Sequence, residues 1–147
     1  WLAGARLRRD DWVLTPHPGE AARLLGCTAA EVQADRFSAI RQLQDLYGGT
    51  IVLKGAGTLV LGPSRRPPGV CSQGNPGMAS GGSGDVLTGM IAALLGRGLD
   101  PEHAAEAAVC LHAAAGDRAA AEGEQGLLAT DLIAAIRPTL NAAVTRP

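Results

Sequence analysis

The residues best suited to chemistry lie in one stretch, Gly74-Asn75-Pro76-Gly77-Met78-Ala79-Ser80-Gly81-Gly82-Ser83-Gly84-Asp85-Val86-Leu87. Five of its first eleven residues are glycine, so the backbone can take positive φ and come close to a ligand. An apolar helical pattern follows at once. The N–H groups of Gly82, Ser83, Gly84 and Asp85 therefore fall where a helix should begin. Such a terminus carries unpaired donors and partial positive charge, which makes it an anion site. Asp85 stands in the first turn with its carboxylate beside that site. A plain anion cradle has no use for an acid there. A centre that moves a phosphoryl group needs both parts, donors for the phosphate and a base for the attacking hydroxyl. The simpler alternative is an ordinary helix-start acid, stabilising by about 0.5–2 kcal/mol. The glycine density favours the functional reading.

Other candidates are weaker one by one. Lys54 ends an apolar run and is followed by Gly55-Ala56-Gly57-Thr58. It could offer charge, and its loop backbone donors, to a nucleotide; a solvated lysine at a strand end is an equal alternative. The pattern is neither a Walker A loop nor a Rossmann fingerprint. His17 lies between Pro16 and Pro18, a rigid posture for gripping a polar substrate, though a structural role competes. His103 and His112 are nine residues apart, poor metal spacing, and read as surface or packing residues. Ser83 fits no G-x-S-x-G elbow, because Asp85 occupies the place of the second glycine; a backbone anion role suits it better. Glu20 and Asp131 read as helix-start acids, and Arg65 and Arg66 as solvated loop charges.

The elements that must position these residues follow from pattern and punctuation. Residues 1–9 have helical spacing. Residues 12–15 form a short strand ended by Pro16. Glu20 opens a short helix over 21–25 that Gly26 closes. Thr28 and Glu31 fit a capping box, starting a helical pattern that breaks near Asp35 and stops at Gly48-Gly49. Residues 50–53 and 58–61 read as strands, joined by a turn tight enough to make them antiparallel. Residues 63–68 form a loop and 69–72 an edge strand. Helices are expected from 86 to about 97, from Pro101 (capped by Asp100) to about 121, and from Asp131 (capped by Thr130) until Pro138 ends or kinks the last one. Strands that deliver loops, each followed by helices, make an α/β chain. Ligands in such sheets bind beyond the carboxyl ends of the strands, where His17, Lys54 and the Gly82–Asp85 turn could meet.

Size and composition narrow the classes. The 147 residues suit a single domain, with 46% hydrophobic and 18% charged residues. A net charge of −1, one Tyr and one Phe give no reason to expect nucleic acid or a membrane surface as partner. No apolar run approaches the roughly 20 residues that span a bilayer. The three cysteines, Cys27, Cys71 and Cys110, have no metal spacing and no obvious disulfide framework, so a reducing compartment, the cytoplasm, is expected. The chain opens on Trp1-Leu2-Ala3-Gly4 without Met and looks like the interior of a longer protein.

Four stretches in this order are more specific than any alone: Leu14-Thr15-Pro16-His17-Pro18-Gly19-Glu20, Leu53-Lys54-Gly55-Ala56-Gly57-Thr58, the Gly74–Leu87 stretch, and Leu128-Ala129-Thr130-Asp131-Leu132. Together they closely resemble the ADP/ATP-dependent NAD(P)H-hydrate dehydratases, the carbohydrate-kinase-like C-terminal part of the YjeF family. The resemblance runs from about Trp12 to Leu132. It implies a ribokinase-like three-layer αβα sandwich, of which this chain would be the C-terminal half of a single domain. It implies repair of hydrated NADH or NADPH: the hydroxyl of the damaged ring is phosphorylated with ADP or ATP, and loss of phosphate restores the cofactor. By matching position, His17 and Asp85 would contact the hydrated cofactor, and Asp85 would be the base. Lys54, Gly55, Ala56, Gly57, Thr58 and Gly84 would hold the nucleotide, with Mg²⁺ as its companion. The amides of Gly82, Ser83 and Gly84 would form the anion hole. An epimerase domain or partner could accompany the chain. A half sheet would expose a strand edge, so a homo-oligomer, or help from a missing segment, is expected. Two other functions remain open at this point: a ribokinase-like kinase for a sugar or vitamin precursor, and a non-catalytic nucleotide-binding module.

Overall fold

The computed structural model describes residues 7–64 and 66–143. In chain order its elements are β1 (Val13–Leu14), α1 (Pro18–Leu25), α2 (Ala29–Ala34), α3 (Arg36–Tyr47), β2 (Thr50–Leu53), β3 (Thr58–Leu61), β4 (Gly69–Cys71), α4 (Ser83–Gly96), α5 (Pro101–Ala119) and α6 (Ala129–Ala143), with short 3-10 turns at Pro76–Met78 and Ala120–Glu122. The strands form one sheet in the order β1-β2-β3-β4. β1 runs parallel to β2, with Leu14 opposite Ile51, and the three helices α1–α3 supply the crossover that a parallel pair needs. β2, β3 and β4 are successively antiparallel, with Val52 opposite Val60 and Leu59 opposite Val70.

The uninterrupted apolar runs of β2 and β3 are what a sheet buried on both faces requires. Successive side chains alternate across the pleat. Ile51, Leu53, Leu59 and Leu61 therefore enter one core, with Val32, Ile40, Leu43 and Tyr47 from the α1–α3 layer. Val52 and Val60 enter the other, with Leu87 and Ile91 of α4 and Ala105, Ala108 and Val109 of α5. The result is three layers, helix on sheet on helix. Burying each of these Leu or Ile side chains stabilises by about 1.5–3 kcal/mol. α5 packs against α6, and Ala104 and Ala115 of α5 and Leu132 of α6 are wholly buried.

Several sequence expectations need correction. Residues 7–9 are not helical, and residues 1–6 lie outside the described residues, as does Arg65. α1 starts at Pro18 rather than after Glu20, because His17 serves as its cap and Pro18 fits the first helical position. Thr130 does not cap α6: the helix already starts at Ala129, and Asp131 Oδ2 accepts the Leu128 N–H at 2.9 Å. Pro138 does not end α6, which runs through it to Ala143. Pro138 and Ala134 are exposed, so the carbonyl that the proline leaves without a donor can be hydrated. Arg66 is less free than expected, with Nη2 3.6 Å from Oε1 of the buried Glu102. The capping box at Thr28, the break at Asp35 and the Asp100 cap are present as read. No helix among the described residues is long and apolar enough to cross a membrane.

Candidate active site

β1 and β2 are parallel, so the segments after Leu14 and Leu53 emerge at the same edge of the sheet. The Lys54 N–H donates to the Pro16 carbonyl at 2.9 Å and ties the two segments together. Beyond them lies a cavity of about 740 Å³. His17, Lys54, Gly55, Ala56, Gly57, Thr58, Ser83 and Gly84 all line it, together with residues 71–76, 78–80, 109, 112 and 113. The fold thus brings eight of the ten sequence-derived site residues to one wall. Gly82 and Asp85 are not in the lining.

His17 has a local structural task. Its Nδ1 accepts the N–H groups of Gly19 at 3.0 Å and Glu20 at 3.3 Å, while its own N–H donates to Glu20 Oε2 at 2.7 Å. This is a capping box with an imidazole in the usual hydroxyl position. Nδ1 as acceptor places the proton of the neutral ring on Nε2, which lies 3.5 Å from Glu20 Oε1. Half of the His17 side chain remains exposed at the cavity mouth. Glu20 also reaches Lys54, with Oε2 3.8 Å from Nζ.

Lys54 is the link between the two glycine-rich motifs. A Cβ added at Gly84 would stand 3.0 Å from Lys54 Nζ, so the ammonium lies against the first turn of α4. A cation at the positive end of a helix is unfavourable by itself. Together, the two make a focus for an anion. Gly82 caps α4 at φ 88°, a conformation open to glycine at little cost. Two of the four amides expected to be free are engaged: Ser83 N–H donates to Ser80 O at 3.3 Å and Asp85 N–H to Gly82 O at 3.0 Å. Among the described residues the amides of Gly82 and Gly84 have no backbone acceptor. Asp85 is exposed. One turn on, Thr88 Oγ1 donates to Gly84 O at 3.0 Å and lies 3.4 Å from Thr15 Oγ1, which joins the Asp85 face of α4 to the end of β1.

Several cavity residues escaped the sequence reading. His112 is a packing residue, as expected, but it packs at the site: Nε2 lies 3.0 Å from Ser83 O and 3.4 Å from Ser83 Oγ. Burial pushes its pKa down, against the Ser83 carbonyl, which raises it, and with Lys54 lowering it slightly further. The signal was the spacing of Val109, His112, Ala113 and Gly116, one face of an α5 that looked merely Ala-rich. The next residue, Asp117, accepts from Gly74 N–H and Asn75 Nδ2, both at 3.0 Å, and fixes the 74–78 loop on α5. Asn75 Oδ1 and Ser80 Oγ are buried in the lining without a protein partner; such atoms call for a ligand or water. Cys71 and Cys110, distant in sequence, become neighbours: burial first, then Cys71, pushes the Cys110 thiol up. Among the described residues no three His, Cys, Asp or Glu side chains cluster as a metal site.

Comparison with known proteins identifies the family and the fold. A family model described as NAD(P)H-hydrate dehydratase matches residues 4–138. The chain is 54% identical over 141 residues to the bifunctional NAD(P)H-hydrate repair enzyme Nnr of Coxiella burnetii, covering 95% of this chain and 29% of that protein. Among solved structures, the ADP/ATP-dependent NAD(P)H-hydrate dehydratase of Bacillus subtilis, co-crystallised with ATP/Mg²⁺ and soaked with CoA, superposes with a TM-score of 0.83 at 34% identity, covering 95% of this chain and 54% of that one. A ribokinase-like superfamily protein of Enterococcus faecalis gives 0.77 at 28% identity, covering 95% and 49%. The fold is therefore ribokinase-like, and the chain spans under a third of the Coxiella protein and about half of the Bacillus one. With the family model matching most of its length, the chain belongs to the NAD(P)H-hydrate dehydratase family.

Proposed function

We propose that this chain carries the nucleotide site and the general base of an enzyme that repairs hydrated NADH or NADPH at the expense of ADP or ATP. The observation that carries the reading is Lys54 Nζ against Gly84, which joins the Lys54–Thr58 turn to the Gly-Gly-Ser-Gly-Asp loop in one cavity. The Lys54–Thr58 turn and the Gly84 amide hold the nucleotide phosphates. Lys54 and the start of α4, with the Gly82 and Gly84 amides, stabilise charge on the phosphoryl group in transfer. Asp85 takes the proton of the substrate hydroxyl as that oxygen attacks phosphorus and the shortened nucleotide leaves. His17 meets the hydrated nicotinamide at the exposed mouth. Cleavage of the ring C–O bond then expels phosphate, and loss of a proton from the neighbouring ring carbon restores the double bond of the reduced nicotinamide.

Mg²⁺ is the natural companion of the nucleotide. The described residues offer no carboxylate cage for it, and a magnesium held by phosphate oxygens and water needs none. The test is product analysis with hydrated NADH and ADP or ATP. Phosphate and reduced nicotinamide released in equal amounts, only with nucleotide present, are expected. A phosphorylated alcohol that accumulates without absorbance recovery would mark a small-molecule kinase instead, and nucleotide binding without turnover a binding module.

A further inference from the structure

Arg36 is the first residue of α3, immediately after the Asp35 cap, whose Oδ1 accepts the Ser38 N–H at 2.8 Å. A guanidinium here is costly. It sits at the positive end of a helix, burial pushes its pKa down, and no ion pair to a carboxylate holds it among the described residues. Its Nε is buried without a partner. What it does hold is the turn after β2. Nη2 donates to Leu53 O at 3.0 Å and to Lys54 O at 3.3 Å, and Nη1 donates to Ala56 O.

Those carbonyls decide where the amides of the turn face. Among the described residues no peptide bond is cis, and a planar trans peptide sets N–H and C=O in opposite directions. Carbonyls of Lys54 and Ala56 held at Arg36 therefore turn the N–H groups of Gly55 and Gly57 away from it. Both glycines line the cavity, and among the described residues neither amide has a backbone acceptor. Gly55 has φ 141°, and a Cβ there would meet Arg36 Nη2 at 3.1 Å, so glycine is needed for both the conformation and the approach. Without the fork, two glycines in four residues would leave the turn many conformations.

We propose that Arg36 is a positioning residue for the nucleotide: it clamps the carbonyls of Leu53, Lys54 and Ala56 so that the Gly55 and Gly57 amides face the cavity as phosphate donors. The role rests on the nucleotide reading of that cavity. It requires the planar, multi-donor guanidinium; the single ammonium of lysine cannot reproduce the fork.

The test uses the intact protein with ATP and Mg²⁺. In Arg36→Lys and Arg36→Ala, nucleotide Kd and KM should rise about tenfold or more, while KM for hydrated NADH and the melting temperature stay near wild type. Guanidine added to Arg36→Ala at millimolar concentration should restore part of the nucleotide affinity. In the wild type, ATP should shift the ¹⁵N amide resonances of Gly55 and Gly57, a readout independent of whether a variant folds. Nucleotide KM unchanged in both variants, equal loss for both substrates with a lowered melting temperature, or silent Gly55 and Gly57 amides in ATP-bound wild type would each overturn the role. Wild type that binds no nucleotide would instead overturn the functional reading itself.

Discussion

Gly84 carries the geometry of the site at the residue scale, because Lys54 stands against it in space and Asp85 follows it in sequence. Gly84→Ala is a discriminating substitution. Alanine favours a helix over glycine by roughly 0.5–1 kcal/mol, so the melting temperature should hold or rise. The new methyl group would displace the Lys54 ammonium, so nucleotide KM should rise about tenfold. Calorimetric titration with ATP beside a thermal melt checks both signs; a melt that drops with affinity intact would remove Lys54 from the site. His112 gives a second residue-scale prediction. Burial lowers its folded pKa below the ordinary 6.5, so the unfolded chain binds the proton more readily. The contribution is full above about pH 6.5 and is lost as pH falls below that value toward the folded pKa. His112→Gln should flatten this part of the stability–pH curve, measured by urea unfolding at several pH values. The placement of Asp85 in the first turn of α4 and of Lys54 at the sheet's rim was legible because glycine density and strand-end position advertise them. His112 was not: a lone histidine in an Ala-rich helix gives no sign that the chain returns to cover it. His17 was half legible. Its neighbouring prolines announced rigidity, but an imidazole acting as helix cap is not written in any usual capping pattern.

Among the elements, α5 is the platform of the glycine loop. Gly116 allows this: a Cβ there would lie 2.2 Å from Met78 Sδ. Gly116→Ala should destabilise by about 1–3 kcal/mol through overpacking, and Met78→Ala in the same chain should recover part of the loss. A double-mutant cycle in urea measures the coupling; strictly additive effects would show that Met78 does not seat on α5. Element boundaries marked by side-chain chemistry could be read directly, as with Thr28 and Glu31, Asp100 and Pro101, and Gly48-Gly49. Those that depend on surroundings could not. Proline removes a donor wherever it stands, but whether α6 survives Pro138 depends on water reaching the orphaned carbonyl at an exposed position. The 53–58 turn read as a bare glycine loop because Arg36, the residue that shapes it, lies 17 to 20 positions earlier on another element.

At the scale of the molecule, the α/β class was readable because short apolar strands deliver loops that run on into helices; the core on each face of the sheet follows from side-chain alternation along β2 and β3. What pairs with the sheet edge was not. β1 is two residues long and, among the described residues, pairs only with β2; open strand edges favour pairing with another chain. The 147-residue chain expressed alone is expected to sediment as an oligomer and to turn over poorly. A monomer with full activity would contradict that expectation. The central claim is that Asp85 activates a hydroxyl for phosphoryl transfer from the nucleotide held at Lys54–Thr58. Its most direct test is the rate at which hydrated NADH regains the absorbance of reduced nicotinamide, measured for the intact wild-type protein and Asp85→Asn, with nucleotide binding measured in parallel. The account predicts recovery that requires ADP or ATP and falls by about 10²- to 10⁴-fold in the variant, with nucleotide affinity preserved. Recovery without nucleotide, or an undiminished rate in Asp85→Asn, would contradict it.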